Sequence, residues 1–157
     1  LALVGAIMVV LIVWFATRKR GNDDKPRGMV MLVQGLGAIH YTEGSLGLLS
    51  PAKIAADLLS VKAAVWPEYE RIYGTTVRYH LDSIRLDPKF HKVAEMSVNT
   101  GRMVLNPSMD YRRGFAAELH NLFRYFHVGI DHIYCTEAVS PEDEQQCYAA
   151  QAVWQGV

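Results

Sequence analysis

The chain has no excess of charge of either sign: its 157 residues carry 16 Lys and Arg against 16 Asp and Glu. A nucleic-acid binder shows a strong basic excess on one face, so DNA and RNA are not expected partners. The sequence also lacks Gly-Lys-Ser/Thr, a complete dinucleotide fingerprint and a Gly-x-Ser-x-Gly elbow, which leaves no signal for a phosphate loop or a serine hydrolase. Cysteine is scarce, with only Cys135 and Cys147. Charge is modest at 20% and aromatics reach 10%, with half of all residues apolar. That balance argues against disorder and for one domain with a core of its own.

The most apolar stretch is the first. Residues 1–16 contain no charge, and Leu1, Leu11, Trp14 and Phe15 belong to a run that would be apolar on every face of a helix,. About sixteen residues at about 1.5 Å each nearly span a hydrocarbon core. Arg18, Lys19 and Arg20 follow at once as a stop,. A cleaved signal peptide has its charges before the apolar run, the reverse of this order. The expectation is a single transmembrane helix over 1–17, a basic linker over 18–28, and an α+β domain over 29–157. The basic collar on the domain side sets that domain in the cytoplasm. From Gly28 onward there are 11 basic and 14 acidic residues, so the domain is mildly acidic. In the cytoplasm both cysteines stay reduced as small buried hydrophobes; in the opposite orientation they could pair.

Within the domain, Met29–Val33 is an apolar run followed by glycine-spaced chain, read as a loop,. Ser50-Pro51 caps a helix whose Ile54, Leu58, Val61 and Val65 share one face; Pro67 should kink or break it, and Gly74 stops it,. Two-residue alternation predicts strands over 77–81 and 93–98, with Asn99-Thr100-Gly101 turning the second into Arg102–Leu105,. Phe115, Leu119, Leu122 and Phe126 mark an amphipathic helix ending at Gly129, and Ser140-Pro141 opens the last helix,. The fold class is therefore α+β, a small antiparallel sheet packed with helices.

The strand Arg102–Leu105 leading through Asn106-Pro107 into Gly114-Phe115-Ala116-Ala117-Glu118-Leu119-His120-Asn121 resembles the small zincin-like metallopeptidases, over roughly residues 51–157. In that family a helix bears His-Glu-x-x-His, two imidazoles one turn apart on a single zinc with the Glu as general base. Aligning Glu118 with that Glu sets Ala117 and Asn121 where the two histidines belong. Glu144 is then the nearest candidate for a third ligand. The resemblance implies a zincin-like fold in a degenerate, pseudoenzyme state.

Other side chains of metal-donor type are present. His120 and His127 share a helix face but lie about 10 Å apart along its axis, too far for one ion. His127, His132, Cys135 and Cys147 have the right chemistry for zinc, in a spacing that matches no standard pattern,. Hydrogen-bonded histidines and buried thiols are the simpler state, so no cofactor is expected. The functional expectation is a non-catalytic, membrane-anchored accessory subunit of a larger respiratory, photosynthetic or secretory complex, with lipid and fellow subunits as partners. Trp66, Tyr69, Tyr111, Phe123, Tyr125, Tyr148 and Trp154 are available as core or interface anchors,. The alternatives are a tethered binding module and a tethered zinc hydrolase with unconventional ligands.

Overall fold

A computed structural model describes residues 25–157, together with the backbone of 12–17. Six strands and three helices follow in the order β1 (Ile12–Thr17), β2 (Gly28–Val33), β3 (Gly37–Thr42), α1 (Pro51–Tyr73), β4 (Ser83–Leu86), β5 (Ala94–Ser97), β6 (Arg102–Leu105), α2 (Tyr111–Val128) and α3 (Pro141–Gln155). Single 3-10 turns at Ile130–His132 and Cys135–Glu137 join α2 to α3.

The described part of the expected transmembrane helix is a strand. Ile12–Thr17 forms a strand paired antiparallel with β2, Trp14 opposite Met31, and among the described residues no helix is long and apolar enough to cross a membrane. Ile, Val, Trp and Phe are strong strand formers, and β2 supplies the backbone partners that a helix would have found within itself. An apolar run suits either environment, and only the neighbouring strand distinguishes them. Leu1, Leu11, Arg18, Lys19 and Arg20 of the expected anchor and stop lie outside the described residues. The expected linker ends inside the fold, since Gly28 already opens β2, and the sheet extends to residues expected to precede the domain.

The sheet is also mixed rather than antiparallel, in the order β1-β2-β3-β4-β6-β5. β1, β2 and β3 form an antiparallel meander, β3 runs parallel to β4, β4 parallel to β6, and β5 closes the far edge as a hairpin with β6. The β3–β4 crossover is α1, the usual device for joining parallel strands. The expected glycine-rich loop is instead the β2–β3 hairpin. Gly37 sits at φ +77°, where a Cβ would lie 2.3 Å from the carbonyl oxygen of Asp82. Glycine is thus required for β3 to approach the start of β4.

Residues 77–81 alternate in burial but pair with no strand. Tyr79 stacks near Trp66, ring centroids 3.9 Å apart, so the alternation records one-sided packing against α1 rather than a ladder. α1 is continuous through Pro67. The carbonyl that proline leaves without a donor belongs to Ala63, and both residues are exposed, so water can satisfy it,. Ser50 caps α1 and Ser140 caps α3 through their side chains, and Gly74 closes α1 in the left-handed conformation.

The helices cover one sheet face. Met31, Val33, Ile39, Ile84, Leu86, Met103 and Leu105 point into a core shared with Leu58, Tyr69, Phe115, Leu119 and Phe123. The other face leaves His40, Arg85, Glu95 and Arg102 exposed. The Tyr69 hydroxyl donates to the Ala116 carbonyl at 2.8 Å, tying α1 to α2 inside the core.

Candidate functional site

Two regions could carry function: the α2 face turned to β5, and the connection from α2 to α3. On the first, α2 comes so close to the start of β5 that a Cβ on Gly114 would lie 2.5 Å from Val93 Cγ1. One turn on, Ala117 and Glu118 are half-buried, and Asn121 Nδ2 donates to Glu118 Oε2 at 3.3 Å. Burial pushes the Glu118 carboxyl above its ordinary range; the Asn121 amide works against that rise, the nearby Glu95 adds to it, and Lys92 opposes it. The edge strand beside this helix is β5. Glu144 is exposed, while its neighbour Asp143 is buried. Glu118 therefore sits beside an amide, with neither imidazole at positions 117 and 121. Among the described residues no group of three or more His, Cys, Asp or Glu could hold a metal ion.

In the second region Cys135 and Cys147 form a disulfide, which corrects the expectation of two reduced thiols. Their Cα atoms are 5.4 Å apart, because the turn at Cys135–Glu137 lies against the second turn of α3. Of the four candidate zinc donors, His127, His132, Cys135 and Cys147, two are thus consumed in a covalent bond. His132 Nδ1 is hydrogen-bonded with the Glu137 carbonyl at 2.8 Å. His127 packs its ring against Tyr73 and Phe123. Both histidines thus engage neighbours within or beside the connection.

At the heart of this connection lies Arg124, fully buried on α2. Its guanidinium meets the Asp143 carboxylate in a bidentate pair, with both contacts at 2.9 Å. It also donates to the carbonyls of His132 and Ile133, at 2.6 and 2.7 Å, and to the Tyr73 hydroxyl at 3.2 Å. The Tyr73 hydroxyl is also hydrogen-bonded with His120 Nε2, 2.7 Å away. Burial, with the Arg124 charge acting in the same sense, pushes the His120 ring down to about 3. The Arg124 hydrogen bonds hold the Asp143 carboxyl below its usual range against desolvation, and the Val139 backbone N–H adds a bond at 3.1 Å. No buried side-chain polar atom among the described residues lacks a partner.

No local sequence signal marks this network. Arg124 stands four residues after His120 on the flank of the apolar stripe, where a long cation is ordinarily read as reaching to solvent. Phe126, expected in the stripe, is 45% exposed, because Leu122, Phe123 and Arg124 turn inwards instead. Of the aromatic anchors, Trp66, Tyr69 and Phe123 are core, whereas Tyr148 is exposed. Ile130, Tyr134 and Val139 are exposed as well, each by more than half. A connection fixed by a disulfide and a buried ion pair thus presents apolar side chains to solvent. Comparison with family models, with curated proteins and with solved structures gives no match.

Proposed function

We propose that the domain is a non-catalytic accessory subunit, which binds a partner protein through the α2–α3 connection. The observation that carries this reading is the rigid exposure of Ile130, Tyr134 and Val139 on a segment clamped at both ends. Exposed apolar groups held in one conformation lose little entropy on association, which is the physics of interface anchors. The disulfide further supports a working environment where thiols are oxidised rather than the reducing cytosol.

Tagged full-length chain, purified without reductant, should bring down one protein at fixed stoichiometry. The double substitution Ile130→Ala and Tyr134→Ala should release it. A lone monomer contradicts the reading, and a companion equally retained by the double variant contradicts this surface.

The position of α2 beside the edge strand, with Glu118 half-buried there, favours a second reading of the frame itself: a zincin-like scaffold that has lost its ligands. Ala117→His combined with Asn121→His should then create zinc affinity. A folded double variant that takes up no zinc counts against that alignment.

A further inference from the structure

From residue 125 to residue 157 the chain contains no Lys or Arg, but five acidic side chains. One, Asp143, is neutralised by Arg124. The other four, Asp131, Glu137, Glu142 and Glu144, are exposed, and none forms an ion pair with any described residue. Elsewhere on the molecule acidic groups sit next to cations, as in Asp57 with Lys53, Glu68 with Arg71, and Asp82 with Arg102. The uncompensated charge is thus gathered on the connection and the first two turns of α3, the segment that also exposes Ile130, Tyr134, Val139 and Tyr148.

We infer that this connection docks a cationic amphipathic segment of the partner protein, apolar side chains meeting the exposed aromatic and aliphatic groups and Lys or Arg meeting the four carboxylates. The inference rests on the accessory-subunit reading for the existence of a partner and goes beyond it in naming that partner's chemistry. The clamps keep the two kinds of group in register. Cys135, beside Tyr134, is bonded to Cys147, beside Tyr148. Val139 is anchored through its N–H to Asp143, between Glu142 and Glu144. His132, beside Asp131, is tied to the carbonyl of Glu137. Val139 is thus held to the helix turn that carries Glu142 and Glu144, and the Glu137 backbone N–H donates to the Tyr134 carbonyl at 2.9 Å. Unpaired charge around an apolar centre favours a partner of opposite sign, through faster encounter and through rejection of acidic competitors.

The test uses oxidised full chain and a labelled helical peptide of Lys and Leu about 18 residues long, five helical turns. A Glu–Leu peptide and a Lys–Gly peptide report apolar character alone and charge alone. The Lys–Leu peptide should bind at least about tenfold tighter than either, with binding weakened by salt. Glu137→Lys with Glu142→Lys should weaken it by about tenfold, as should Tyr134→Ser. These side chains are exposed, and an unchanged near-ultraviolet spectrum checks that the variants are folded. Glu43→Lys with Glu95→Lys makes the same charge change on the sheet side and should leave binding intact. Equal weakening by both charge-changing pairs, or a Lys–Leu peptide held no tighter than Lys–Gly, overturns the inference. If the peptide fails while the co-purifying protein is still released by Ile130→Ala and Tyr134→Ala, the partner's chemistry is wrong and the accessory reading stands. If nothing co-purifies, the accessory reading itself fails.

Discussion

Replacing Asp143 by Ala strands a full positive charge in the interior. Arg124 has no solvent exposure, and Asp143 is its only acidic partner among the described residues. The His132 and Ile133 carbonyls and the Tyr73 hydroxyl would still accept its protons, but they supply no countercharge. Breaking a buried pair by removing one member costs about 3–5 kcal/mol. Against a typical domain stability of about 5–15 kcal/mol that is a large share. For a chain of this length it corresponds to a fall in Tm of about 6–20 °C. The assay is urea unfolding followed by circular dichroism, with the disulfide kept intact so that the unfolded ensemble stays the same. Arg124→Met alone should also be costly, since it orphans Asp143 and two carbonyls. The double variant should cost less than the two single losses together, by more than about 1 kcal/mol. A loss below about 1 kcal/mol for Asp143→Ala would refute the argument, because the pair would then not be what secures α3 to α2.

Three further outcomes follow from the same network and its surroundings. Glu118→Gln should stabilise the protein near pH 7: the raised carboxyl is most favourable when protonated, so wild-type loses stability as pH rises through its folded titration,. Paired unfolding curves at pH 7.5 and pH 5 should show the gain shrinking at the lower value. His120 is depressed, so its contribution is present above about pH 6.5 and is lost as pH falls towards about 3, by up to about 1.4 kcal/mol per pH unit,. His120→Gln should flatten the limb between pH 6.5 and 5, leaving the smaller slope of His127, which is lowered for the same reason; an unchanged slope contradicts a buried neutral ring. Finally, Cys135→Ser with Cys147→Ser should cost about 3 kcal/mol from the loop the bond closes,, and native protein should take up no thiol label before reduction.

Local signals in the sequence proved legible where the physics is local. Ser50-Pro51, Gly74 and Ser140-Pro141 mark helix ends by satisfying or sparing terminal N–H and C=O groups within a few residues,. The turn before Arg102 is legible for the same reason. What could not be read depends on distant partners. Residues 12–17 look the same for lipid as for a strand, and β2 decides between the two. The parallel pairing of β3 with β4 is invisible to any short window. The clasp needs α1, α2 and α3 together, since Tyr73, Arg124 and Asp143 are far apart in the chain. The absence of imidazoles at 117 and 121 is plain in the sequence; what occupies the space, a half-buried acid against an amide, is not.

The mixed pairing also imposes a timetable on biosynthesis. Once β3 has left the ribosome, its outer backbone groups wait for β4, which begins roughly forty residues later. At a synthesis rate of about 5–20 residues per second, that is an interval of about 2–8 s. Throughout it, a hydrophobic meander has one ragged side open to any passing chain. α1 is made during the same interval and can shield the meander's apolar face, but not its edge. A chaperone that binds extended nascent segments would find its best opportunity there, before the centre of the sheet exists.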